Sequence, residues 1–196
     1  MKALIEHNFQ QASLTYAKCD DVQQKASRML VNQIKSVCPN IIPAKILDVG
    51  CGTGNVIEAL HDFYPNATYH INDISAAMIN ETSNRFAHQI HLKKLHGDIE
   101  YLNIEHSYDL VISNLCLQWV DDLSFVIEKI LKHTKLFVFS CLLEDSFKAW
   151  YDLLKAYGIE HAIRTYPSQK EICELTLVRG HRVLHSSQNH YEISVK

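Results

Sequence analysis

Apolar residues recur at helical intervals near the start of the chain, at Phe9, Ala12, Tyr16, Val22, Ala26, Met29, Leu30 and Ile34, with no glycine or proline across 9–37. One or two N-terminal helices are predicted there. After Pro39 and Pro43 the period changes. Ile46-Leu47-Asp48-Val49 is a short, largely apolar run ending at glycine, as a buried strand does. Helix-like and strand-like segments then alternate. Helices are predicted from Asn55 to about Phe63, Ser75 to Arg85, Leu123 to Leu131 and Ser146 to Tyr157. Strands are predicted at Thr68 to Asn72, Leu92 to His96 (the weakest), Tyr108 to Ser113 and Leu136 to Ser140. Ser168-Gln169-Lys170-Glu171 reads as a capping box that opens a last helix to about Leu177, followed by strand-like Tyr191 to Val195.

Such alternation implies crossover units and an α/β fold with a doubly wound, mostly parallel sheet. The 196 residues suit one domain, divided into N-terminal helices (1–38), a core (45–141) and C-terminal elements (142–196). With 47% hydrophobic and 21% charged residues, the chain has the composition of a folded globular protein. A net charge of −3 argues against broad attraction to nucleic acid. No apolar run reaches the ~20 residues of a spanning helix, and Met1-Lys2 begins no signal-peptide core, so a cytoplasmic protein without membrane contact is expected. The six cysteines form no C-x-x-C pair, and the twelve histidines show no ligand spacing. Reduced thiols and no metal are expected.

The candidate chemistry lies at the ends of the predicted strands. Asp48-Val49-Gly50-Cys51-Gly52-Thr53-Gly54 is a glycine turn between strand and helix, where backbone can approach a ligand and the helix start offers free N–H groups. The dinucleotide fingerprint would place its third glycine at Asn55, which disfavours NAD and FAD. Asp73 ends the second strand, about 20 residues on, where a carboxylate can accept from both hydroxyls of a ribose; a helix cap is the other reading, but Ser75 can fill that role. Asp98, in Gly97-Asp98-Ile99-Glu100 after the third strand, can accept from an adenine amino group while a backbone N–H meets a ring nitrogen; alternatively it is a turn aspartate.

With these residues in this order, the chain resembles the Rossmann-like class I methyltransferases, which hold S-adenosylmethionine with a D-x-G-x-G-x-G loop, an acid after strand two and an aspartate after strand three. Within that class it is similar to the malonyl-acyl-carrier-protein O-methyltransferase family of biotin synthesis. Phe9 to Tyr16 follows that family's F-x-x-A-x-x-x-Y helix and Val22-Gln23 its V-Q pair, while Ser113-Asn114-Leu115-Cys116-Leu117-Gln118-Trp119 follows S-N-L-x-x-Q-W. A weaker match runs through Leu142 to Trp150 and through His161, Ala162, Arg164 and Pro167. Family members carry an acid after the tyrosine where this chain has Ala17. They also continue past the strand that Tyr191 to Val195 resembles, so a shortened C-terminal end and an open sheet edge beside strand five are expected.

The resemblance implies transfer of a methyl group from S-adenosylmethionine, leaving S-adenosylhomocysteine, to the free carboxylate of a malonyl group on acyl carrier protein or coenzyme A. It assigns the cofactor to Asp48, Gly50, Cys51, Gly52, Gly54, Asp73, Ile74, Asp98, Ile99 and Asn114. Tyr16, Asn114, Gln118 and Trp119 are implied at the transfer site, with Phe9 packing a lid helix and Arg164 clamping the substrate carboxylate. Since acyl carrier protein is acidic, Lys18, Lys25, Arg28 and Lys35 are the first candidates for a basic face and Lys148, Lys155 and Lys170 weaker ones, while the run Lys129, Lys132, Lys135 reads as a solvated helix face. A monomer is expected. A methyltransferase for another small carboxylate or metabolite, or a non-catalytic binder of the cofactor, would use the same cofactor residues.

Overall fold

A computed structural model of the chain describes residues 21–159, 165–177 and 183–188 together with Lys2 and His7. Its order is α1 (Asp21–Val37), β1 (Lys45–Val49), α2 (Asn55–Leu60), β2 (Thr68–Asp73), α3 (Ala76–Phe86), β3 (His91–His96), β4 (Tyr108–Asn114), a 3-10 turn (Leu117–Trp119), α4 (Leu123–Leu131), β5 (Thr134–Ser140), α5 (Lys148–Ala156) and α6 (Gln169–Leu177). The predicted helices and strands within the described residues all form, with ends displaced by a few residues. Phe9 to Tyr16 and Tyr191 to Val195 lie outside the described residues.

The strands form one parallel sheet in the order β3-β2-β1-β4-β5. Alternate residues of each strand feed opposite faces. Ile46, Tyr69, Ile71, Leu110 and Ile112 pack under Val31 and Ile34 of α1, Val56, Ile57 and Leu60 of α2 and Ile79 and Phe86 of α3. Leu47, Val49 and Val111 pack with Leu117 and with Val126 and Ile130 of α4. Covering on both faces accounts for the near-continuous apolar runs of β1 and β4. It confirms the doubly wound fold.

The weak signal of β3 has a physical origin: this edge strand exposes His91, Lys93, Lys94 and His96, charges that discourage further pairing. At the other edge, β5 pairs only with β4 among the described residues. The chain divides into two compact units, the first carrying the sheet and the second running Leu142–His190. Within the second, α5 buries none of its residues, and the capping box at α6 forms as expected: Ser168 N–H and Oγ both donate to Glu171 Oε2, at 2.6 and 2.8 Å, and Glu171 N–H donates to Ser168 Oγ at 3.2 Å. Among the described residues no helix is long and apolar enough to cross a membrane.

In the middle of β2, His70 is buried with its Nδ1 2.7 Å from the hydroxyl of Tyr108, the first residue of β4. Burial, then Lys93, His106 and Lys45, push its pKa down to about 4. The unfolded chain therefore takes up a proton near the ordinary value of ~6.5 while the folded one does not. Wild type minus His70→Gln stability, read by urea melts across pH, should be constant above about pH 6.5 and decline from there toward about pH 4. At α4, Asp122 Oδ1 accepts from Phe125 N–H at 2.8 Å. Asp122→Ala should cost about 0.5–2 kcal/mol in the same melts.

Candidate functional site

The sheet grows outward in two directions from β1 and β4, and the crevice at their carboxyl ends is where ligands of such sheets bind. A cavity lies there with about 920 Å³ of empty space, its open mouth included. Gly50, Cys51, Gly52 and Thr53 line it from the first loop, Asn72, Asp73 and Ile74 from the second, Gly97, Asp98 and Ile99 from the third, and Asn114, Leu115, Cys116 and Trp119 from the fourth.

The three glycines of the turn serve different needs. At Gly50 (φ 72°) a Cβ would fall 2.2 Å from Cys116 Sγ and 2.5 Å from Cys116 Cβ, so the ends of β1 and β4 can meet only without it. At Gly54 (φ 89°) a Cβ would lie 2.8 Å from the Phe86 ring and 3.2 Å from Thr82, so this residue seats the turn on α3 and does not line the cavity. Gly52 (φ 52°) has nothing within 4 Å of its Cβ position and borders the cavity. The turn is clamped from outside. Thr82 Oγ1 donates to Gly52 O at 2.7 Å and Arg85 to Thr53 O at 3.1 Å, while Gly50 and Cys51 N–H both donate to Asn72 O, at 2.8 and 2.9 Å.

The acidic residues fall into different environments. Asp73 is buried at the cavity wall, where it accepts from Gly52 N–H at 3.0 Å and Ser75 N–H at 2.9 Å. Burial raises its pKa, and the Ser75 and Gly52 N–H groups offset part of that. Ser75 caps α3 by accepting from Met78 N–H at 3.4 Å, leaving Asp73 to face the cavity. Asp98 makes the turn contact expected of an aspartate, accepting from Glu100 N–H at 3.0 Å, and also lines the cavity. Among the described residues no hydrogen bond uses the neighbouring Ile99 N–H. Asp48 does not line the cavity; it is fully buried beneath the turn, and neither carboxylate oxygen has a partner. Burial, and secondarily Asp73, push its pKa up to about 8.

On the fourth loop, Asn114 donates to Gln23 O of α1 at 2.9 Å and accepts from Ser140 Oγ at 2.7 Å, which fixes its amide beside the cavity. Leu115 has φ 48°, a left-handed conformation held by its N–H to Ser140 O at 3.1 Å and to Ser140 Oγ at 3.0 Å. The structure brings Trp119 to the cavity but not Gln118, whose Nε2 donates to Leu115 O at 2.6 Å and so braces the loop. Phe9, Tyr16 and Arg164 lie outside the described residues. Two cavity residues had weak signals in sequence: Asn72, a polar residue inside a strand, tied to Leu95 O and Gly97 O at 2.8 Å each, and Gln23, within the Val22-Gln23 pair. Lys2 and Cys116 had none. No cluster that could hold a metal occurs among the described residues.

The residues present fit an adenosine-bearing cofactor: Asp73 offers a buried carboxylate to a diol, Asp98 and Ile99 offer an acceptor and an N–H unpaired among the described residues, and the backbone at Gly52 is unobstructed. The fold is that of the Rossmann-like methyltransferases. Comparison with known proteins agrees: residues 46–136 match the methyltransferase-domain family. The chain is 28% identical over 169 residues to a malonyl-acyl-carrier-protein O-methyltransferase of Neorickettsia risticii, covering 86% of this chain and 66% of that protein. It is 36% identical over 134 residues to one of Priestia megaterium, covering 68% and 48%. The chain thus spans between about half and two thirds of these relatives' length. Among solved structures, magnesium protoporphyrin IX methyltransferase from Synechocystis with SAH bound superposes with a TM-score of 0.72 at 18% identity, covering 92% of this chain and 89% of that one. Over residues 46–136 the chain is thus similar to the methyltransferase-domain family, and its sequence relatives include malonyl-acyl-carrier-protein O-methyltransferases.

Two substitutions check this geometry. Gly50→Ala should destabilise the fold by about 1–3 kcal/mol, with Cys116→Ala restoring only part because the Cβ contact and the positive φ remain. Asp48→Asn removes a carboxyl that the folded protein keeps protonated up to about pH 8 while the unfolded chain ionises it from ~3.8 upward. In denaturant melts its gain over wild type should grow as pH rises from about 4 to 8.

Proposed function

We propose that the chain transfers a methyl group from S-adenosylmethionine to the free carboxylate of a malonyl thioester on acyl carrier protein, the chemistry named in its curated relatives. The observation carrying this reading is the convergence of four strand-end loops on one cavity, with Asp73, Asp98 and the group Asn114, Leu115, Cys116 and Trp119 each contributed by a different loop. When bound, the cofactor would supply a sulfonium-activated methyl group that passes to a carboxylate oxygen by in-line displacement.

The chain's own residues bind, orient and exclude water. Asp73, already set by Gly52 and Ser75, accepts from the ribose hydroxyls, while Asp98 and the Ile99 N–H read the adenine edge. Asn114 and Trp119 border the transfer position, with Gln118 bracing their loop. No general base is needed, because a carboxylate with a reference pKa of ~4 is already ionised at neutral pH. Rate enhancement then comes from positioning and from a dry site. Tyr16, Phe9 and Arg164 are our candidates for the acceptor end. The acidic carrier would meet α1, where Lys25, Arg28 and Lys35 are exposed within one arc of the helix; Lys35 Nζ also lies 3.6 Å from the centre of the Phe63 ring. We take the site of action to be the cytoplasm.

Asp73→Ala should weaken S-adenosylhomocysteine binding by roughly ten- to a hundredfold in calorimetry, as expected for lost hydrogen bonds to a charged acceptor. Incubation with malonyl-acyl carrier protein and S-adenosylmethionine should add one methyl ester, visible by mass spectrometry. Methylation of free small acids but not of the carrier-bound malonyl group would overturn the substrate and keep the class.

A further inference from the structure

At the adenine end of the cavity, three carboxylates stand around one ammonium from the far end of the chain. Lys2 Nζ is paired with Asp98 Oδ2 and Glu100 Oε2 and lies 3.7 Å from Asp121 Oδ2 and 5.4 Å from the centre of the Tyr101 ring. Resting on the cofactor reading above, we infer that Lys2 is a positioning residue whose ammonium gathers Asp98, Glu100 and Asp121 around one cation and so holds the adenine end in its binding shape.

Backbone contacts bring these acids together but leave their charges unbalanced. Glu100 is buried, accepting from Asp122 N–H at 2.8 Å and Asp121 N–H at 3.1 Å, while Asp98 takes the Glu100 N–H. Asp98 and Glu100, both poorly solvated, repel one another unless a cation joins them, while the exposed Asp121 adds a screened repulsion. Lys129 reaches the same loop from α4, but its ammonium is spent on the carbonyls of Ile99 and Glu100, at 3.0 and 3.1 Å. This also corrects the reading of Lys129 as part of a solvated face; Lys132 and Lys135 do pair at the surface, with Glu128 and Asp109. Lys2 is the cation on the carboxylate side.

Lys2 stands in the cavity wall without filling the cavity, beside Asp98 and Ile99. Among the described residues Asp98 Oδ1 bonds one backbone N–H and the Ile99 N–H has no partner, so the groups that would read an adenine edge stay available. The Lys2 side chain is 20% exposed, so the cluster is open to screening by salt.

The test compares wild type, Lys2→Met and Lys2→Arg by S-adenosylhomocysteine calorimetry at low and high salt, and by hydrogen exchange of 97–102 without ligand. Lys2→Met should weaken binding about three- to tenfold at low salt, and Lys2→Arg should restore most of it. The gap between wild type and Lys2→Met should close at high salt, and exchange at 97–102 should quicken in Lys2→Met. Unchanged or tighter binding by Lys2→Met would overturn the inference, the tighter case marking Lys2 as an obstruction. Unchanged exchange overturns it as well. Should wild type itself not bind the ligand, the cofactor reading falls, and the exchange comparison alone decides whether Lys2 holds the loop.

Discussion

The site depends on the closeness of two strand ends. β1 and β4 are neighbours in the sheet, and the chain leaves both at the same edge, so their loops compete for one space. Gly50 resolves the competition by having no side chain where Cys116 must sit. Once these loops interlock, Ser113 Oγ can donate to Val49 O at 2.9 Å, and the cavity opens between the first loop and the fourth. The second and third loops follow from parallel register, since Asp73 pairs with His96 and Gly97 N–H then donates to Asp73 O at 3.0 Å.

Much of this was legible in sequence because it is local. A buried parallel strand shows as an apolar run, and a turn with positive φ at three positions shows as three glycines. The first two acids of the site sit at fixed places relative to those signals. What was not legible is what depends on rotation or on distance along the chain. Spacing puts Gln118 next to Trp119, but the 3-10 turn sends one toward Leu115 and the other to the cavity. The position of Lys129 in a run of lysines says nothing of the two carbonyls beneath it. Lys2 meets Asp98 across 96 positions, a separation no periodicity reports.

Three aspartates, each near the end of a strand, show how strongly surroundings set the behaviour of one side chain. Asp98 shares an ammonium and a turn N–H, Asp73 is held by two backbone donors, and Asp48 has neither. Burial is deepest at Asp48, which forms a neutral base beneath the turn with its pKa pushed up to about 8.

That neutral base has a thermodynamic consequence. The proposed reaction moves no proton before methyl transfer, yet Asp48 holds one that the folded protein gives up only near pH 8. A positive charge arriving in the cavity favours the ionised acid below it, so occupancy and proton release are linked. A cationic ligand and its uncharged counterpart would then differ in how their affinities respond to pH, and the heat of binding the former would vary with the ionisation enthalpy of the buffer. The acid beneath the turn thereby lets the protein register charge at a place its side chain does not reach.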